Sequence, residues 1–195
     1  MNASKILTGF LIVLFVSVIC GIGILGIHQP QKKSLPIYGE TGNFRLTDAQ
    51  GKEFDSLQLR GKVWITAFFF TTCSGICPIM TKNLRSLQER FGSYKELEFV
   101  SISVNPEQDT PQALSVYARK YGADTNRWHF LTGTREDIAR IAVHGFKVGS
   151  VQEPIFHSSY FVLVDRNARI RGYYEGTRPE EMERLSRDLV RLYRE

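Results

Sequence analysis

"VWITAFFFTTCSGICPIM", residues 63–80, runs from an apolar stretch through two cysteines into the start of a helix. Residues 63–70 are apolar apart from Thr66 and are bounded by polar residues on both sides. Such a run predicts a strand buried on both faces, as in a sheet covered by helices. Pro78 suits the first turn of a helix, where its missing N–H leaves nothing unsatisfied. Met80, Leu84, Leu87 and Phe91 then recur at helical spacing. Cys73 and Cys77 therefore stand between the carboxyl end of a buried strand and the helix behind it, a place where α/β folds build their sites.

Outward from this unit, strands and helices alternate. Residues 43–62 predict a short hairpin turning at Asp48-Ala49-Gln50-Gly51. "LEFVSISV" (97–104) predicts a second strand. Thr110 then caps a helix with Pro111 at its first position and Leu114, Tyr117, Ala118 and Tyr121 on its apolar face. "HFLTG" (129–133) is a third strand, followed by a helix through Ile138, Ile141 and Ala142. "SYFVLVD" (159–165) and "ARIRGYYEG" (168–176) alternate around a tight turn and pair as a hairpin. A last helix carries Met182, Leu185, Leu189 and Leu192. That order is an α/β fold with a central mixed sheet flanked by helices, parallel in part and closed by an antiparallel hairpin. Paired cysteines at the end of its first buried strand make it look like a thioredoxin-like fold.

The chain has 195 residues, which suggests one domain with an appendage, and a domain of this size buries a core without disulfide staples. The formal net charge is +5, from 25 basic and 20 acidic residues. The basic residues are scattered rather than clustered, so no nucleic-acid partner is expected. The appendage is at the front. Residues 6–27, "ILTGFLIVLFVSVICGIGILGI", hold no charge, and as a helix they would extend roughly 33 Å, enough to cross a bilayer core. A cleaved signal peptide would have a shorter apolar region ending at small residues, and lipidation of Cys20 would call for a small residue in place of Ile19. An uncleaved N-terminal transmembrane helix within 1–27 is therefore expected. Residues 28–42, polar and with two prolines, read as a tether to a domain at 43–195. Lys5 on one side of the span and Lys32 and Lys33 on the other balance under the positive-inside rule. A short N-terminal tail that stays inside places the domain on the extracytoplasmic side.

Cysteine pairs admit a bland reading, as small buried hydrophobes, and Cys20 fits it as a residue of the span. For Cys73 and Cys77 the location argues for reactivity. Cys77 falls at a helix N-terminus, where the dipole and free N–H groups favour a thiolate. Two neighbouring thiolates repel, and the repulsion is relieved by a disulfide or by a soft cation, copper(I) first and zinc next. A closed zinc site would call for four ligands, and the chain has three cysteines. Of the four histidines, His28 lies in the tether, His129 opens a strand and His144 ends a helix, each an ordinary surface or core position. His157 lies just before a buried strand, in a loop able to approach the cysteines.

Three segments, "FFFTTCSGICPIMTKNLRSLQ", "VSISVNPEQDTPQALSVYARKYGADTNRWHFLTGT" and "FHSSYFVLVDRNARIRGYYEG", together resemble the Sco/SenC family over about residues 40–193. The resemblance rests on C-x-x-x-C-P, P-E-x-D-T-P, L-T-G-T and a histidine before a strand ending in L-V-D, in one order. It implies a thioredoxin fold, a single membrane anchor and an extracytoplasmic domain, in the periplasm or at the outer face of the cell membrane, or in the intermembrane space for a mitochondrial protein. It implies copper held by two cysteines and one histidine, here Cys73, Cys77 and His157, as copper(I) and in some members copper(II). It further implies service to the copper A centre of cytochrome c oxidase subunit II, as copper donor, thiol reductant or both, with other copper chaperones or thiol reductants as further partners. A metal-independent thiol–disulfide oxidoreductase working through the same redox-active pair, Cys73 and Cys77, is the alternative. Two positions depart from the family pattern. Asn105 stands before P-E-x-D-T-P and Phe156 before the histidine, both where aspartate is common.

Overall fold

The apolar run at 63–69 lies in the middle of an eight-stranded mixed sheet. The computed structural model describes residues 13–15, 17, 34–149 and 158–195. The strands are β1 (Gly39–Glu40), β2 (Arg45–Asp48), β3 (Glu53–Asp55), β4 (Val63–Phe69), β5 (Leu97–Ser103), β6 (Trp128–Thr132), β7 (Tyr160–Val164) and β8 (Arg169–Glu175). The helices are α1 (Cys77–Arg90), α2 (Pro111–Lys120), α3 (Arg135–Arg140) and α4 (Pro179–Tyr193). A 3₁₀ turn covers Ser56–Leu59, and a π-helical turn, Ile141–Gly145, continues α3. The sheet order is β1-β8-β7-β4-β5-β6-β2-β3. β4, β5 and β6 are parallel, while β7 runs antiparallel to β4 and pairs with β8. The mixed α/β architecture expected from the sequence is present.

Alternation along β4 divides the core in two, because successive strand side chains point to opposite faces. Val63, Ile65, Ala67 and Phe69 pack with Met80, Leu84 and Leu87 of α1, Leu114 and Tyr117 of α2 and Leu185 and Leu189 of α4. Trp64 and Phe68 face the other way, against Phe44, Leu46, Phe54, Ile138, Ile141 and Phe146. With apolar partners on both faces, all seven residues of β4 are buried, which is why the sequence there shows no polar alternation.

The chain divides into two units, residues 1–33 and 34–195. In the first, Val13–Phe15 and Ser17 are helical. The expected transmembrane span and Cys20 otherwise lie outside the described residues, among which no helix is long and apolar enough to cross a membrane. Residues 34–42, read from composition as tether, belong instead to the second unit. Leu35 is buried. The Arg171 guanidinium donates to the carbonyls of Leu35, at 2.8 Å, and Pro36, at 3.1 Å. Gly39 and Glu40 pair with Ile170 and Arg169. The segment lies along a sheet edge, attached by these backbone hydrogen bonds together with the buried Leu35 and the edge contact of Tyr38 with Tyr173.

Candidate functional site

The two cysteines occupy the carboxyl end of β4. After Phe70 the chain turns, with Cys73 N donating to Phe70 O at 3.3 Å, and re-enters regular structure as α1. Helix α1 opens without a side-chain cap. Ile76 is its N-cap residue, and Pro78 lies in its first turn. Its first N–H groups have no side-chain cap; the N–H groups of Cys77 and Ile76, with that of the preceding Gly75, favour charge on the sulfur of Cys73. The Cys77 side chain reaches the same sulfur. Cys73 is half-buried and Cys77 is buried, both as free thiols.

These contacts separate the two thiols. Burial disfavours a charge on Cys73, but the Cys77 side chain and the three backbone N–H groups outweigh it and hold the Cys73 thiol below the ordinary value. Cys77 goes the other way. Burial, together with the negative charge on Cys73, pushes it up to about 12 despite the N–H of Phe70. The sequence expectation that the helix N-terminus favours a thiolate at Cys77 is thus corrected. The N–H groups of that terminus converge on Cys73, while Cys77, inside the first turn at 1% exposure, faces the core.

Two further layers hold the pair. The Thr81 hydroxyl donates to the Cys77 carbonyl at 2.8 Å and lies 2.8 Å from Tyr117 Oη, tying α1's first turn to α2. On the opposite side, Asp109 accepts from Thr71 N at 3.0 Å, and Thr72 Oγ1 donates to Gln108 Oε1 at 3.3 Å. Asn105 belongs to this second layer. Its carbonyl accepts from Gln108 N and Asp109 N, and its side chain donates to Gln108 Oε1 at 3.2 Å. Asp109, Thr81 and Tyr117 were not singled out for the site from sequence. Each reads there as an ordinary loop or helix residue, and only the P-E-x-D-T-P stretch marked one of them.

His157 and Phe156 lie outside the described residues, as does His28. The register of β7, with Phe161 opposite Ala67, brings Ser158 and Ser159 to the cysteine end of β4, and His157 is the residue before Ser158 in the chain. The other two histidines have ordinary roles. His129 Nε2 lies 3.1 Å from Glu98 Oε2, and its ring tilts against Phe54. His144 is exposed on the π-helical turn. Among the described residues no group of three or more His, Cys, Asp or Glu side chains could hold a metal ion. The described donor set is thus two sulfurs, with the Cys73 thiol held below its ordinary value, which suits a soft monovalent cation given a further ligand.

Three solved structures share the fold. A SCO1/SenC family lipoprotein from Bacillus anthracis str. Ames is 34% identical with a TM-score of 0.73, covering 83% of this chain and 98% of that one. BsSco, a member of the Sco family of cytochrome c oxidase assembly proteins in which a disulfide switch was identified, is 27% identical with a TM-score of 0.71, over 83% and 98%. Bradyrhizobium japonicum ScoI with copper bound is 25% identical with a TM-score of 0.61, over 75% and 97%. The SCO1/SenC family model matches residues 35–194, from the buried Leu35 of the edge segment to the end of α4. A match of that extent, spanning the whole sheet and the cysteine turn at its centre, makes this chain a member of the SCO1/SenC family.

Proposed function

We propose that this chain is a membrane-tethered copper metallochaperone that delivers copper to the copper A centre of cytochrome c oxidase subunit II and exchanges electrons through its cysteine pair. The observation that carries this reading is the placement of two free thiols, Cys73 and Cys77, between the carboxyl end of β4 and the first turn of α1. Copper(I) is the cargo. Cys73 and Cys77 hold it, with His157 as the third ligand. Cys73 meets the metal already inclined to ionise, whereas Cys77 must give up its proton, so loading releases protons and weakens in acid. Oxidation of the two thiols to a disulfide releases two protons and two electrons, which reduce a disulfide on the acceptor. The same step removes both thiolate ligands, so redox state gates loading. The copper-bound ScoI and the disulfide switch of BsSco support the two halves of this reading. Titrating the purified full chain with copper(I) tests it. Replacing both Cys73 and Cys77 by alanine abolishes binding, and unchanged stoichiometry and affinity in that variant would refute the reading.

The polarised thiols also favour a second reading, a metal-independent thiol–disulfide oxidoreductase in which Cys73 attacks and Cys77 resolves. His157→Ala separates the two. Under the copper reading it cripples copper binding and copper A assembly while leaving disulfide exchange largely intact. The thioredoxin-like fold serves both chemistries.

Attachment is proposed through the uncharged stretch 6–27 as an uncleaved helix, with the domain extracytoplasmic. The Bacillus anthracis relative is described as a lipoprotein, and here Cys20 is the cysteine that a lipid could modify. Intact mass of the membrane-extracted protein decides between these. An uncleaved, unlipidated chain is expected, and a diacylglycerol adduct on a chain beginning at Cys20 would overturn the anchor.

A further inference from the structure

Asp109 is completely buried, and none of its three donors carries a charge. Thr71 N donates to Oδ2 at 3.0 Å, Thr71 Oγ1 to Oδ1 at 2.5 Å, and Ser103 Oγ to Oδ2 at 2.5 Å. Burying a carboxylate is costly unless its lone pairs are filled. A carboxylate is the side chain that accepts at both oxygens at once, where an asparagine amide offers only one acceptor atom. The arrangement grips Thr71 by its backbone and its side chain together, and ties it to Ser103 at the end of β5. Ser103 Oγ is held in turn by Asn105 N at 3.1 Å. The gripped residue is two positions before Cys73, in the turn closed by Cys73 N and Phe70 O.

We propose that Asp109 is a positioning residue for the cysteine pair: its carboxylate fixes the turn at Thr71 against the end of β5 and so sets the approach of the Cys73 and Cys77 sulfurs. This rests on the reading that Cys73 and Cys77 are the working pair. Helix α1 presents Cys77 from the core side, so the spacing between the sulfurs depends on what immobilises the other side of the turn. Loosening that side lowers the effective concentration of one thiol at the other, which weakens an intramolecular disulfide and a two-sulfur metal site together.

The test compares Asp109→Ala, Asp109→Asn and a destabilising control, Leu189→Ala, from the buried face of α4, in the purified full chain. Two quantities are read: the disulfide equilibrium constant against glutathione without metal, and copper(I) affinity against a chromogenic chelator. Asp109→Ala is expected to lower the disulfide constant about tenfold, a rise of about 30 mV for a two-electron couple, and to weaken copper(I) binding about tenfold. Asp109→Asn, keeping the shape and one acceptor, falls between. Leu189→Ala lowers Tm but leaves both quantities within about twofold. If Asp109→Ala leaves the disulfide constant unchanged, or Leu189→Ala moves it equally, the proposal is overturned. Should Asp109→Ala not fold, Thr71→Val and Ser103→Ala each remove one hydroxyl, and an unchanged disulfide constant in both overturns it equally. If the wild-type chain holds no copper(I) while the disulfide constant still responds to Asp109, the positioning role stands and the copper reading falls.

Discussion

Cys77 is buried in the first turn of α1 while Cys73 is half-buried in the turn before it, and the two thiols differ in acidity: burial pushes Cys77 up, whereas the N–H groups around Cys73 hold it down. One half-buried sulfur collects the N–H groups of a helix terminus, and the other is enclosed by the first turn of that helix. The pair is therefore a half-buried nucleophile backed by a proton-holding partner.

Alkylation reads that asymmetry directly. Iodoacetamide near neutral pH is expected to modify Cys73 first, with Cys77 protected by burial and by a value pushed up to about 12. In Cys77→Ala the sulfur of Cys73 loses one hydrogen-bond partner, so its reactivity profile moves to higher pH. Mass spectrometry of peptides after short pulses measures both. Equal labelling of the two cysteines in the reduced wild-type chain would contradict the assignment.

The relay from Tyr117 through Thr81 to the Cys77 carbonyl is buried. Tyr117→Phe removes one hydrogen bond and should cost about 1 kcal/mol. Thr81→Val removes two and leaves the Tyr117 hydroxyl short of a partner, for a loss of about 1–3 kcal/mol. Because the residues share one network, the double variant should lose less than the sum. Urea unfolding of the four proteins closes the cycle, and strict additivity would show that the hydroxyls act separately.

Arg171 is the buried cation of the edge, 2.9 Å from Asp165 and 3.0 Å from Glu195. Arg171→Met leaves Asp165 with Arg169 as its one remaining cation among the described residues and frees the carbonyls of Leu35 and Pro36. A loss of about 3 kcal/mol is expected, as for a broken buried pair, with residues 34–42 becoming the first site of limited proteolysis. Unchanged urea stability together with an uncut edge segment would refute this.

Asp165 also sets part of the acid response. Burial opposes its charge, but the Arg169 N–H, the Arg171 guanidinium and the Asn167 N–H outweigh it and hold the carboxyl below the ordinary range. A folded value below the unfolded one means stabilisation that is complete above about pH 4 and is lost as pH falls through the folded value. Asp165→Asn should therefore be less stable at neutral pH and lose less on acidification. Parallel stability curves for the two proteins between pH 7 and pH 3 would contradict it.

Gly145 tests the close approach of the edge segment to the π-helical turn. A Cβ there would lie 2.6 Å from the Thr41 carbonyl oxygen, and Thr41 is held by its own N–H to Ala168 O at 3.1 Å. Gly145→Ala should cost about 1–3 kcal/mol, as for overpacking against backbone that cannot yield. A thermal midpoint equal to wild type would show that the segment shifts freely.

Periodicity and punctuation were enough to determine the order of hairpin, strands and helices in this chain. The run at 63–70 fits a strand covered on both faces, Pro78 and Pro111 mark helix starts, and 159–165 and 168–176 alternate with period two. C-x-x-x-C-P and P-E-x-D-T-P, with the other motifs in their order, carried the resemblance to the family that the family model matches over residues 35–194. Tertiary structure alone decided three things. Residues 34–42 join the sheet by pairing Gly39 and Glu40 with Ile170 and Arg169, with Arg171 bonded to the carbonyls of Leu35 and Pro36, and backbone hydrogen bonding leaves no hydropathy pattern to read. Cys73 rather than Cys77 is the more acidic thiol, because burial in the first turn of α1 raises Cys77 while the N–H groups around the turn favour charge on Cys73. Asp109, remote in the chain from Cys73, grips the turn beside it because β4 and β5 end side by side, a proximity created by strand pairing and by nothing local in the sequence.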